Sequence, residues 1–240
     1  EGRINIQTDN ITISRNYINQ STSSTSEAIY INGSNQNIKI IQNWINGYAS
    51  TTGDHIIGIE SDGSAQQEIE IHNNFIRTSH GNTGIHQAIV IPLSSNGVIS
   101  IVNNNIWGNL ETTGAYIANN IQLEGGISGA GNTYYNNLGI TNQFPSNNGN
   151  IQNAGMGMLF IDYDSYVDNG YILNDLPGVP SLATGAGLNG GDCGVFGYHT
   201  TGTPYKLSGL PDIPAIFEFS GNLSNGVGPV QINIKAKSHN

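Results

Sequence analysis

One phrase repeats along this chain, and it restricts the fold more than any other feature. An alternating Ile-x-Ile run precedes an asparagine, and the first apolar position of the phrase falls at Ile11, Ile38, Ile69, Ile99 and Ile127. Successive copies are therefore 27, 31, 30 and 28 residues apart. Alternation with a period of two predicts short strands that each have one apolar face. A single unit cannot bury that face, so the repeat predicts a stacked array.

A second alternating phrase lies between the copies of the first, at 28–31, 55–59, 87–91 and 115–119. Each unit thus holds two or three strands separated by polar corners. Stacked units spaced by ~4.8 Å would place like residues in continuous isoleucine ladders. The asparagines at 16, 43, 74, 104 and 132 recur at one corner. We predict that they adopt a left-handed backbone there and that their amides bond from coil to coil.

The composition excludes several classes of function. Charged residues make up 10 % of the chain, and the formal net charge is −10 with only seven lysines and arginines. Binding to nucleic acid or to an anionic membrane surface needs clustered cations, so neither is expected. No apolar run is long enough to span a bilayer. Cys193 is the only cysteine, which rules out an intrachain disulfide.

The strand pattern fades after Ile172, where prolines and a glycine-rich run follow. We therefore predict a parallel β-helix over 1–176 and an irregular segment with a β-hairpin over 177–240. In the tail, 215–219 and 230–234 alternate and are expected to pair, either capping the last coil or linking to a partner. The strand that begins at Ile4 has no covering segment ahead of it. We expect residues 1–10 to be covered by another chain or by a preceding segment of a longer polypeptide.

The repeat resembles the right-handed parallel β-helix proteins of the pectate lyase-like superfamily, over roughly residues 4 to 175. The tail adds a narrower likeness, in the phrases at 192–197, 204–211, 213–216 and 234–238, to secreted bacterial β-helix proteins of unassigned function. The resemblance implies an all-β solenoid of about five coils. It also implies an extracellular or bacterial cell-surface location, and it does not by itself imply an activity.

Residues for a polysaccharide lyase or a glycoside hydrolase are sparse. A lyase needs a cationic base, and the best placed is Arg77, which precedes a long loop that contains His86. A hydrolase needs paired acids, and Asp54, Glu60 and Asp62 flank one strand. They could meet His55 and His86, which the repeat places close together on neighbouring coils. Arg77, His86, His55 and Asp54 are therefore the catalytic candidates. Each residue type is also common in ordinary turns and surface loops.

Aromatic residues suggest a binding role instead. Tyr17, Trp44 and Phe75 occupy equivalent positions in three coils, and Trp107 is displaced by one position in the fourth. The isoleucine after each of the first three is expected to point inward, so these rings should point outward and could stack on sugar rings.

No cofactor is required by the sequence. Asp162, Asp164 and Asp168 offer alternating oxygen ligands that Ca²⁺ could use, but the glycine and terminal glutamate of an EF-hand loop are absent. A solvated strand edge explains the same pattern.

The leading expectation is a noncatalytic secreted or cell-surface module that binds carbohydrate or a protein partner. The first alternative is a polysaccharide lyase or glycoside hydrolase that acts on an extracellular polysaccharide. The second is a structural subunit of a larger surface assembly.

Overall fold

The structure of the protein is a computed structural model. It describes residues 3–22, 26–49, 56–64, 67–80, 86–92, 98–163, 171–175, 178–197, 215–221 and 232–237.

Eighteen strands form three parallel sheets of six strands each. Sheet A contains β1 (Ile4–Ile6), β4 (Ser26–Ile31), β7 (Ile56–Ser61), β10 (His86–Ile91), β13 (Asn109–Thr112) and β16 (Ile127–Ser128). Sheet B contains β2 (Ile11–Ser14), β5 (Gln36–Ile41), β8 (Gln67–His72), β11 (Ile99–Val102), β14 (Ala115–Ala118) and β17 (Thr133–Tyr135). Sheet C contains β3 (Tyr17–Thr22), β6 (Trp44–Ala49), β9 (Phe75–His80), β12 (Asn105–Trp107), β15 (Ile121–Glu124) and β18 (Leu138–Gly139). Each turn of the chain supplies one strand to each sheet in this order, which is a parallel β-helix.

The isoleucine ladder is confirmed. Ile11 pairs in register with Ile38, Ile38 with Ile69, and Ile69 with Ile99. Except for Ile11, which lies in the first coil and is partly buried, these residues are fully buried in one core that all three sheets line. The burial of apolar side chains stacked over one another is the main source of stability in such an array.

The number of coils is six, not about five. Ile127, counted as the fifth copy of the phrase, belongs to sheet A, where it pairs with Leu110. The strand that continues the ladder beyond Ile99 in sheet B is β14, through Ala115. The last coils are shorter because the long corners of the earlier coils are missing, so two coils fit where the spacing of the repeat predicted one.

The asparagine ladder is longer than the sequence indicated. In successive coils, each side-chain amide donates a hydrogen bond of 3.0 to 3.1 Å to the next amide oxygen. The members are Asn16, Asn43, Asn74, Asn104, Asn120, Asn137 and Asn150. Asn132, predicted as the fifth member, is at a different corner, where its amide binds Thr112 and Ala115.

The left-handed backbone at this corner also falls on a different residue from the one predicted. Positive φ occurs one position before each ladder asparagine. These residues are Arg15, Gln42, Asn73, Asn103, Asn119, Asn136 and Gly149. The ladder asparagine itself therefore serves through its side chain, which satisfies backbone groups at the turn.

The last coil is covered by residues that follow β18. Phe144 is buried in the main core, and its ring lies 6.0 Å from that of Tyr134 in an edge-on arrangement. The amide of Gln143 donates to the backbone oxygen of Gly125. This loop covers the end of the core, which is one of the two roles predicted for the tail, the other being a link to a partner.

A second layer covers the outer side of sheet C. Its described residues lie within 154–163, 171–175 and 178–196, and they include the α-helix α1 (Met156–Leu159) and a short 3-10 helix (Leu188–Gly190). Apolar residues such as Leu159, Phe160 and Val195 pack there against Phe75 and other outward residues of sheet C. The polar backbone also takes part, because Asn73 donates to the backbone oxygens of Val195 and Gly197.

The chain divides into two compact units, 1–208 and 209–240. The described residues after the predicted boundary at 176, from 178 to 197, therefore belong with the β-helix. In the second unit, β19 (Ala215–Gly221) and β20 (Ile232–Lys237) form an antiparallel pair, as the alternation predicted. No helix among the described residues has the length and apolar character needed to cross a bilayer.

Candidate functional site

The predicted aromatic column points outward, but most of it is covered. The rings of Tyr17 and Trp44 lie 5.6 Å apart, and those of Trp44 and Phe75 lie 5.3 Å apart. The second layer then buries Phe75, whose ring lies 4.6 Å from that of Tyr171. Phe75 is 1 % exposed and Trp44 4 %, whereas Tyr17 is 57 % exposed. Of these three rings, only that of Tyr17 presents a broad surface to solvent.

Arg77 and Trp107 form one unit on sheet C. The Arg77 guanidinium lies 4.8 Å from the centre of the Trp107 ring, and Arg77 is only 8 % exposed. A buried guanidinium stacked on an indole contributes packing and a cation–π contact. This environment does not present the guanidinium to a polymer on the surface, as a lyase base would require.

Of the other catalytic candidates, the structure describes only His86. It begins β10 in sheet A, beside Ile56 of the previous coil, whereas Arg77 lies in β9 of sheet C. Asp54 and His55 lie outside the described residues. Their predicted cluster with His86 therefore stays a prediction.

The predicted calcium ligands are described only in part. Asp162 is exposed, while Asp164 and Asp168 lie outside the described residues. Within the part of the chain that is described, no group of three or more His, Cys, Asp or Glu side chains is arranged to hold a metal ion.

The outer side of sheet A, called here the sheet A face, holds an ionisable cluster. Arg3 donates to Glu27 at 2.7 Å, and its guanidinium lies 4.5 Å from the centre of the Tyr30 ring. Glu60 lies one coil further on, in register with Tyr30, and its carboxyl group is hydrogen-bonded to that of Glu27. Two carboxyl groups from coils two and three thus share a hydrogen bond beside one guanidinium.

These surroundings separate the pKa values of the two carboxyl groups. Burial raises the pKa of Glu60, and the hydrogen bond to Glu27 and its negative charge raise it further, to about 7. Burial also acts to raise the pKa of Glu27, but the hydrogen bond from Arg3 and other favourable contacts outweigh it and keep the pKa below its ordinary value. Near pH 7 Glu27 is therefore ionised and Glu60 is about half protonated, so the proton that the pair shares lies mainly on Glu60.

A cleft lies further along the same face. Its volume is ≈ 260 Å³, and it is lined by Gln87, Asn109, Glu111, Gly126, Ile127 and Ser128. Glu111 is in register with Val90, which is in register with Glu60, so the cleft and the carboxyl pair lie along one line of coils. The Gln87 amide donates to the Glu111 carboxylate at 3.3 Å. Amide, hydroxyl and carboxylate groups in one cleft offer both donors and acceptors to a polar ligand.

The described polar contacts on the outer side of sheet B join neighbouring coils to one another. Lys39 and Glu70 lie in register on neighbouring coils and form an ion pair of 2.9 Å, in which both side chains are more than a third exposed. An ion pair this exposed contributes little to stability. A ring nitrogen of His72 lies 2.9 Å from the Ser100 hydroxyl.

Sequence reasoning missed Glu27, Gln87, Asn109 and Glu111 as site residues. Their outward positions follow from the register of sheet A, in which Glu27 lies beside Ile57, Ile57 beside Gln87, and Gln87 beside Asn109. Tyr30 lies in register with Glu60, which is one residue beyond the second repeated phrase as bounded at 55–59, so aligning the phrases as bounded does not identify this face. The corners between the phrases differ in length, which hid the rest of the alignment.

No protein-family model matches the chain, and the searches of curated proteins and of solved structures found no match either. The parallel β-helix architecture rests on the three sheets themselves. The likeness to the pectate lyase-like superfamily rests on the sequence pattern alone.

Proposed function

We propose that this chain is a noncatalytic module of an extracellular or cell-surface protein, and that it binds an extended polysaccharide along the sheet A face. The observation that carries the proposal is the polar cleft beside Glu111 and Gln87. Sugar hydroxyl groups both donate and accept hydrogen bonds, and so does the Gln87 amide. The Asn109 side-chain oxygen is engaged in a 2.7 Å bond from the Gly126 amide, which fixes one wall.

The regular spacing of the coils supports a polymeric ligand. Neighbouring coils are ~4.8 Å apart, so outward residues recur along the face at a fixed interval. A linear glycan that lies along the coils would meet Tyr30, Glu60 and Glu111 in turn. Stacked repeats often present extended binding surfaces of this kind. A protein partner on the same face is the other form of this proposal.

Hydrolysis is the second candidate, because Glu60 holds a proton near neutral pH while Glu27 is ionised. Unequal pKa values of this kind mark an acid and a base in many active sites. However, retaining glycosidases separate their carboxyl groups by ~5 Å and inverting enzymes by more, whereas these two are directly hydrogen-bonded. The pair therefore favours a binding or structural role over glycoside hydrolysis.

Affinity electrophoresis through gels that contain soluble plant, algal or bacterial polysaccharides tests the proposal. We expect at least one polysaccharide to retard the protein, and Gln87→Ala to weaken that binding about tenfold, which corresponds to ~1.4 kcal/mol. Gln7→Ala is the matched control, since Gln7 is exposed and lies beyond the end of β1. Absence of retardation by every polysaccharide, or equal weakening by both variants, would refute the proposal.

The same incubations separate binding from catalysis. New reducing ends would indicate hydrolysis, and unsaturated uronates would indicate a lyase. The binding proposal expects neither product.

A further inference from the structure

The cations of the β-helix are already engaged within the protein. Arg3 is bonded to Glu27, and Lys39 is bonded to Glu70. Arg15 donates to the side-chain oxygen of Gln42 at 3.1 Å, and Arg77 is buried on Trp107. The three other cations, at 206, 235 and 237, lie outside the part of the chain whose side chains are described.

Among the residues whose side chains are described, the sheet A face, in contrast, carries three carboxyl groups and a single guanidinium. Glu111 lines the cleft itself, and its described partner there is the uncharged Gln87 amide. Glu27 and Glu60 lie further along the line of coils, and Arg3 offsets the charge of Glu27. The cleft is thus an anionic environment in which no described cation faces the ligand.

We infer that the sheet A face selects glycans by charge, that it accepts uncharged glycans and excludes uronate-bearing or sulfated ones, and that Glu111 is a specificity-determining residue. This inference rests on the proposed glycan binding. A glycan carboxylate or sulfate in the cleft would meet the like charge of Glu111. It would also lack the bidentate arginine that usually accompanies recognition of such groups.

The inference separates this chain from the ligand that its sequence pattern suggests. A likeness to pectate lyases points to polyuronates, whose recognition depends on exposed cations or on a bound metal ion. The described residues that line the cleft include no lysine or arginine, and the described part of the chain has no group of three or more His, Cys, Asp or Glu side chains arranged to hold a metal ion. The substrate class that fits the cleft is therefore a neutral polysaccharide, held by hydrogen bonds to amide and hydroxyl groups.

The test compares neutral and anionic polysaccharides in the same retardation assay at low salt. The neutral set is mixed-linkage β-glucan, galactomannan and xylan, and the anionic set is polygalacturonate, alginate and chondroitin sulfate. We expect the wild-type protein to bind at least one neutral polymer at least about tenfold more tightly than any anionic one. Glu111→Gln, which keeps the shape of the side chain, should raise the ratio of anionic to neutral binding about tenfold, or about one decade in Kd.

Glu68→Gln is the charge-matched control, because Glu68 is exposed near the start of β8 in sheet B, whereas the cleft is lined by residues of sheet A. It should leave the ratio unchanged. Raising the salt to about 1 M shortens the screening length to ~3 Å and should lessen the exclusion in the wild type.

Each outcome decides one of the two proposals. Binding of an anionic polymer by the wild type as tightly as of the neutral polymers overturns the charge selection and leaves glycan binding intact. A ratio that Glu111→Gln does not change, or that Glu68→Gln changes equally, overturns the role of Glu111. Retardation by none of the six polymers overturns the glycan-binding proposal and the inference with it.

Discussion

Replacement of Asn74 by alanine should destabilise the protein far more than the same replacement of Asn16. Asn74 lies in the middle of the ladder and is fully buried, whereas Asn16 is exposed at its first position. The Asn74 side-chain oxygen accepts hydrogen bonds from the backbone and side-chain amides of Asn43, at 2.9 and 3.0 Å. Its amide donates to the backbone oxygens of Ile40 and His72, at 2.7 and 3.0 Å.

The expected loss of stability depends on which of these groups keep a hydrogen-bond partner in the Asn74→Ala variant. The oxygen of His72 still accepts from the backbone amide of Gln42, and the side-chain amide of Asn43 keeps two backbone acceptors. The backbone amide of Asn43 loses its acceptor inside a buried corner, at a cost of ~1–3 kcal/mol. Adding the other lost bonds at ~0.5–1.5 kcal/mol each, less those compensated locally, gives about 3–5 kcal/mol for Asn74→Ala.

The corresponding loss at Asn16 should stay below about 1 kcal/mol. The Asn16 amide donates to Asn43 and to the backbone oxygen of Ser14, and water can replace an exposed donor. Urea unfolding followed by far-ultraviolet circular dichroism measures both variants, with the midpoint and slope compared separately because stacked repeats can unfold in stages. Equal midpoint shifts for the two variants would refute the account of the ladder as a set of buried, mutually satisfied bonds.

Three further predictions concern the carboxyl pair, a close backbone contact and the end cap. The pKa of Glu60 is raised from 4.5 to about 7, so between these pH values the folded protein retains a proton that the unfolded chain has lost. The free energy of unfolding should therefore fall as the pH rises from about 4.5 to about 7. Since Glu60 is partly exposed, the expected loss is only about 1 kcal/mol, and Glu60→Gln should flatten the dependence of the urea midpoint on pH; an unchanged pH dependence would contradict it. Gly58→Ala should lower the free energy of unfolding by at least ~2 kcal/mol, because the new Cβ would lie 2.6 Å from the backbone oxygen of Ala88 in the next coil. Gly126→Ala is the control: its new Cβ would have its nearest neighbour at 3.9 Å, so thermal denaturation should show a change of less than ~0.5 kcal/mol. Phe144→Ala should lower stability by about 3–5 kcal/mol and increase binding of a hydrophobic dye, since it uncovers the end of the core; unchanged melting and dye binding would show that this loop is not the cap.

The sequence carried most of the information about the interior of the coil. The isoleucines at 38, 69 and 99 stack because each inward position must match its neighbours above and below, and this requirement leaves a visible repeat. The asparagine ladder is visible for the same reason. It was assigned one residue away from the left-handed backbone because Asn73 and Asn103 stand directly before ladder asparagines, which makes the two roles hard to separate.

The end of the coil and its covering could not be read in this way. The period shortens after Asn104, whose next ladder partner is Asn120, so a search for constant spacing selected Asn132 instead. The second layer has no period at all, because residues such as Tyr171 and Val195 each fill a different hollow on sheet C. A residue whose contact is not repeated leaves no pattern, which is why Phe75 was expected to be open to solvent.

The contrast between repeated inward positions and unrepeated outward contacts also indicates where a ligand site can arise in this fold. An inward substitution must fit two neighbouring coils at once, so inward positions are constrained by packing from both sides. The second layer imposes a similar constraint on Phe75 and the rest of the covered sheet C face. Among the described residues, the second layer packs against sheet C and not against the outward residues of sheet A, where the chain places Glu60, Gln87 and Glu111 instead of continuing an apolar ladder. Burial of the Glu60 carboxyl beside the charge of Glu27 opposes folding above neutral pH, which packing does not require. Polar groups retained at such a cost to stability favour a binding role for this face over a passive one.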